Sequence, residues 1–145
     1  MNAYICVDAS VAAKWVLPEE YRDQALGFYE DSRSRGATIA VPPHFPVEVT
    51  NVIRRRVARR LLTHAEGLEL LRIFVQFSVR LVIPQELYEE AFNLAERFNL
   101  PTVYDTHYLA LAKLLGCDLW TADQGLLNAL GEKLPYVKWV GRYPG

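Results

Sequence analysis

Five short strand-like runs, Tyr4–Val7, Thr38–Val41, Val79–Ile83, Cys117–Thr121 and Tyr136–Val140, alternate along the chain with longer stretches whose apolar residues recur at helical spacing. That alternation constrains the fold more than any other feature, because strands separated by helical crossovers pair in parallel and bury their sheet beneath helices. The expected architecture is a three-layer α/β/α sandwich around a mostly parallel five-stranded sheet. With 145 residues, 51% of them hydrophobic, the chain has apolar material for one substantial core, so residues 1–145 are expected to form a single domain.

The punctuation between runs sets the helices. Ser10 is placed to cap a helix carrying Val11, Ala12, Trp15 and Val16; Pro18 ends it, and a second helix is expected from about Glu19 to Ser34, closed by Gly36. After Pro42 and Pro43, the residues Phe45, Val49, Val52, Ile53 and Val57 mark a third helix, and Glu48 lies on the flank of its apolar stripe with Asn51 beside it. Thr63 and Glu66 have capping-box spacing ahead of a fourth helix. Further helices are expected over Glu86–Phe98, from about Tyr104 to Leu115 before Gly116, and over Gln124–Leu130 before Gly131.

Charge narrows the function classes. A formal net charge of -1 with 23% charged residues gives neither a disordered polyelectrolyte nor a basic coat, so any polyanion must be met by a local patch. The first apolar run stops at Asp8, too short for a signal peptide or a membrane span, and a soluble, cytoplasmic protein with no membrane partner is expected. Two cysteines, Cys6 and Cys117, both within strand-like runs, read as reduced core thiols.

In open parallel sheets, ligands bind beyond the carboxyl ends of strands, and Asp8 and Asp123 fall there. Each, like Asp105 at the start of its helix, also reads as an ordinary helix cap, and Glu48 singly reads as a boundary residue. Brought together, the four carboxylates repel, and a hard divalent cation is what neutralises such a set. The three histidines show no zinc-ligand spacing, and His107 is expected on the face opposite Asp105. Among the cations, Arg55 lies two helical turns beyond Glu48 and faces a phosphate at the same site; Arg59 extends that basic run, and Lys14 is a weaker candidate one turn beyond Ser10. Phe28, Tyr29, Phe74, Phe77, Phe92 and Phe98 read as core or interface packing rather than a base-stacking platform.

Four segments in series carry a resemblance: Val7 to Trp15 (VDASVAAKW), Pro46 to Val52 (PVEVTNV), Tyr104 to Ala112 (YDTHYLALA) and Leu119 to Asp123 (LWTAD). In order and interval they resemble the successive motifs of the PIN-domain family, most of all its VapC-type toxin branch. The resemblance implies a five-stranded parallel sheet with Asp8, Glu48, Asp105 and Asp123 grouped at one edge as catalytic metal ligands for magnesium or manganese, with Ser10, Asn51 and Thr121 as polar support. It further implies a metal-dependent endoribonuclease, a homodimer and a cognate VapB-like antitoxin as partner. One departure is Gln124 after Asp123, where many relatives carry a basic residue. A haloacid-dehalogenase-like phosphatase requires an Asp where Ser10 stands, and a receiver domain requires a strand-end Lys that Val137–Trp139 matches poorly. The alternative is a catalytically idle scaffold that binds RNA or a protein; retention of all four acids counts against it.

Overall fold

The computed structural model describes residues 3–144 and contains seven α-helices and five strands among them. Strand β1 (Tyr4–Val7) leads through the short helix α1 (Ala9–Ala12) and a 3-10 turn (Ala13–Trp15) to α2 (Arg22–Ser34), then β2 (Thr38–Val41), α3 (Phe45–Ala58) and α4 (His64–Phe74). β3 (Arg80–Leu81), α5 (Leu87–Arg97), α6 (Tyr104–Leu115), β4 (Leu119–Thr121), α7 (Gln124–Leu130), β5 (Val137–Trp139) and a closing 3-10 turn (Val140–Arg142) follow. The sheet order is β3-β2-β1-β4-β5, and every pairing is parallel rather than mostly so.

This order makes β1 the point where the chain reverses its direction of growth across the sheet. β2 and β3 are added on one side of β1, β4 and β5 on the other, leaving a crevice beyond the carboxyl ends of β1 and β4. α6 packs across β1, β2 and β4, and its buried Leu109, Leu111 and Ala112 join Val7, Val41, Phe45 and Leu119 in the core.

Several boundaries differ from the sequence expectation for local reasons. α2 begins at Arg22, not Glu19, because Tyr21 adopts a left-handed conformation (φ 65°) that helix propagation excludes. β3 shrinks to Arg80–Leu81, both exposed; it is an edge strand with one neighbour, so little holds Val79 or Ile83 in extended pairing. Ser10 is not the first cap. Asp8 is, its Oδ1 accepting from the Ser10 and Val11 amides at 3.1 and 3.3 Å. The capping box at Thr63 and Glu66 forms in full. Phe92 is 70% exposed and lies outside the core, whereas Phe28 and Phe74 are buried. Cys6 and Cys117 are free thiols facing each other at 3.6 Å. No helix among the described residues is long and apolar enough to cross a membrane.

Candidate active site

Four elements bring their acids to one crevice. Asp8 ends β1, Glu48 stands in the first turn of α3, Asp105 in the first turn of α6, and Asp123 follows β4; together with Ser10, Asn51, Arg55 and Tyr108 they line a cleft of roughly 230 Å³. The three acids read as possible caps separate here. Asp8 and Asp123 do cap helices, Asp123 Oδ1 accepting from the Leu126 amide at 3.0 Å, but Asp105 lies inside α6 behind a Val103 cap and holds no backbone amide.

Glu48, Asp105 and Asp123 each keep an oxygen that no protein donor occupies, whereas Asp8 keeps only a lone pair on an oxygen already bonded. Asp8 Oδ1 is filled by two amides and the Ser10 hydroxyl, and its Oδ2 receives the Thr121 hydroxyl. Those two hydroxyls also accept, Ser10 Oγ from the Ala122 amide at 2.8 Å and Thr121 Oγ1 from the Asp123 amide at 3.0 Å. Since each hydroxyl has one proton and gives it to Asp8, the 3.5 Å contact between Ser10 and Thr121 is packing, not a further hydrogen bond. The ends of β1 and β4 are thereby tied together through the acid. Asn51 lines the cleft but is exposed and makes no side-chain hydrogen bond among the described residues.

Burial pushes the Asp8 pKa up to about 6; its hydrogen bonds to Ser10, Thr121 and Val11 oppose that shift, and the charge of Asp105 adds to it. Asp105 is raised as well, first by the cleft walls that shield it from water, then by the charges of Asp123 and Glu48. A single cation, Arg55, answers four carboxylates in this lining.

Sequence reasoning missed two residues that act on Glu48. Tyr108, 2% exposed, donates its hydroxyl to Glu48 Oε1 at 2.6 Å, and His44 Nε2 stands 3.3 Å from the same oxygen while bonded to the Tyr104 carbonyl at 2.9 Å. Burial holds the His44 pKa below its usual value, so at neutral pH the ring offers Glu48 a dipole rather than a charge. Both were within reach of spacing rules: Tyr108 is three residues from Asp105 on one helix and His44 four before Glu48. With Oε1 held by Tyr108, Oε2 is left toward the cleft. Tyr108→Phe is therefore expected to weaken manganese binding about tenfold to a hundredfold with the fold intact, the range for removing a partner that orients a ligand; unchanged affinity in a manganese titration followed by electron paramagnetic resonance defeats that role.

The remaining expected contacts divide. Arg55 lines the cleft beside Glu48, while Arg59 caps the end of α3 in solvent and does not. Lys14 does not line it either: it is buried and ion-paired to Glu19 at 3.3 Å, and Glu19 also binds Arg56, so this lysine braces the turn after α1 against α3. His107 is likewise outside the lining residues.

The donor set suits a hard divalent ion: oxygen ligands only, mutually repelling, each with a free lone pair. No three acidic, histidine or cysteine side chains among the described residues close into a preformed cage.

An all-parallel five-stranded sheet with an acid-lined crevice at its reversal point places the chain among α/β sandwich proteins with a carboxylate-rich site at the strand ends. A profile of the PIN domain matches residues 5–132, and the chain belongs to that family. It is 35% identical over 128 residues to Ribonuclease VapC12 of Mycobacterium tuberculosis, covering 88% of this chain and 93% of the relative. It is 32% identical over 133 residues to Ribonuclease VapC3 of Pyrobaculum aerophilum, covering 90% and 95%. In structure it is similar to PAE2754 from Pyrobaculum aerophilum, known from a crystal structure, with a TM-score of 0.69, 20% identity, and 97% and 93% of the two chains covered, a likeness of fold.

Proposed function

We propose that the chain is a magnesium- or manganese-dependent endoribonuclease, the toxin of a VapBC-type pair, held in check by a VapB-like antitoxin. The observation that carries the reading is the convergence of Asp8, Glu48, Asp105 and Asp123 on one cleft, three of them with an oxygen left free and Asp8 with a lone pair to spare on Oδ2. The names of the two ribonuclease relatives support the substrate class. When bound, the divalent ion supplies charge relief at the phosphate and an acidified water. Within the chain, Tyr108 fixes Glu48, Thr121 and Ser10 fix Asp8, and Arg55 takes a phosphate oxygen of the substrate. Attack of water at phosphorus with loss of the 3′ oxygen gives 5′-phosphate and 3′-hydroxyl ends, without use of the 2′-hydroxyl. A homodimer belongs to the same proposal, and α5 offers it an apolar face: Tyr88 and Phe92, four residues apart, are 57% and 70% exposed.

The test is cleavage of a mixed pool of structured RNAs by the purified protein with magnesium or manganese, beside EDTA and an Asp105→Asn variant. Metal-dependent cutting with those end groups, lost in the variant, is the expected result. Cutting that persists in EDTA, or that leaves cyclic phosphate ends, defeats the mechanism, and a folded protein that binds RNA but cuts none of it leaves the idle scaffold.

A further inference from the structure

A cleft dominated by four carboxylates repels the phosphates that flank the scissile one, and its single guanidinium cannot hold a strand. With a net charge of -1, the chain has no diffuse positive field to compensate. On the nuclease reading above, the grip on RNA must therefore come from a cationic surface next to the cleft.

One such surface starts at the very next residue. Asp123 lines the acidic cleft, and Gln124 opens a groove of roughly 430 Å³ between α7 and β5. Its lining includes Trp120, Lys138, Trp139 and Arg142 and no carboxylate. Among the described residues neither Lys138 nor Arg142 makes an ion pair. Both indoles are partly exposed yet braced from behind: Trp139 sets its ring against Tyr21 at 5.2 Å and 76°, and Trp120 meets Tyr143 at 5.1 Å and 82°. Gly141 is required for this placement, because a Cβ there would come within 2.5 Å of the Trp139 ring. Fixed, partly exposed indoles beside two unpaired cations have the makings of a single-strand site: cations follow the phosphates, aromatic rings take bases irrespective of sequence, and a rigid platform loses little entropy on binding.

We propose that the groove between α7 and β5 carries a single-stranded stretch of RNA out of the acidic cleft, its phosphates on Lys138 and Arg142 and a base against Trp139; this rests on the nuclease reading.

The test uses fluorescence anisotropy of a short labelled oligouridine on the full chain, in the Asp105→Asn background so that binding is read without cutting. Lys138→Gln with Arg142→Gln is expected to weaken binding about tenfold or more and to flatten the dependence of log affinity on log salt by about 1.4, the share of two phosphates on a single strand. Trp139→Leu is expected to cost about tenfold with the salt slope unchanged, and Trp139→Phe to restore most of it. In the cutting-competent chain, the double variant raises KM while manganese affinity stays constant. A folded double variant with unchanged affinity and slope overturns the groove assignment even if the wild type cuts RNA. Groove-dependent binding with no cutting by the wild type keeps the groove and removes the nuclease. Competition by oligoglutamate as effective as by oligouridine of equal charge overturns the assignment in favour of an acidic protein segment.

Discussion

Asp105→Asn is expected to slow RNA cleavage about a thousandfold while leaving the metal-free protein folded and more resistant to heat. The change removes one hard oxygen donor from the site, and transition-state charge relief of about 4 kcal/mol converts to that factor. Asp105 is the cleanest of the four acids to test. Asp8 also caps α1 and ties β1 to β4, Asp123 caps α7 and Glu48 is held by Tyr108, whereas Asp105 makes no side-chain hydrogen bond among the described residues. The stability gain has the opposite sign because the acids repel one another: with Asp105 neutral, Asp8, Glu48 and Asp123 lose a like charge. The pH dependence follows from the same shifts. Asp8, raised to about 6, and Asp105, also raised, bind protons more tightly in the folded than in the unfolded chain, so metal-free protein gains stability as pH falls from neutrality through about 6 toward the ordinary carboxylate range. Melting temperatures of wild type and variant, measured with EDTA across that window, decide the matter; an Asp105→Asn protein that melts lower than wild type at neutral pH contradicts the account of the cleft.

Trp15→Ala is expected to lower stability by about 3–5 kcal/mol, the range for deleting a large buried aromatic. Trp15 is 2% exposed in the 3-10 turn after α1, stacks on Phe77 at 5.0 Å and 10°, meets Tyr29 at 5.1 Å, and gives its indole N–H to the Ala25 carbonyl at 3.0 Å. It thus fastens the turn that follows Asp8 to α2 and to the segment leading into β3. Against a total stability of about 5–15 kcal/mol, the loss is a large fraction. Trp15→Phe should recover most of the apolar contact but not the hydrogen bond, leaving a deficit of about 1 kcal/mol from that bond before any packing loss. Urea unfolding of the three proteins checks the series. A Trp15→Ala loss under about 1 kcal/mol shows that this side chain does not fasten the turn.

The fold was legible wherever local chemistry and tertiary packing asked for the same thing. β1, β2 and α3 emerge at their expected places because an apolar run and its punctuation agree, and Thr63 with Glu66 forms the expected cap. β3 was over-extended because an edge strand with one neighbour stops where pairing stops, and residue type alone carries no record of neighbours. Among the site residues, Arg55 followed from helical phase, but Lys14 did not: its partner Glu19 lies past the break at Pro18, in a turn whose path spacing rules do not give. For Phe92 spacing left core and interface packing open, since helical periodicity identifies a stripe but not whether the protein itself covers it. By spacing Tyr108 is one more apolar position of α6, and only its 2.6 Å bond to Glu48 separates it from the aliphatics beside it.

The hydrogen bond from Thr121 to Asp8 joins residues 113 positions apart, and the cleft lies between the strands they end. A polypeptide still being made has Asp8, Glu48 and even Asp105 on hand but no cleft, because the strand that completes it is made after all three and domains fold as units. A chain cut short before β4, by an early stop or a protease, is likewise left without Asp123 and without the brace on Asp8. The acids made first thus stay without a working site until the segment through Asp123 has joined them.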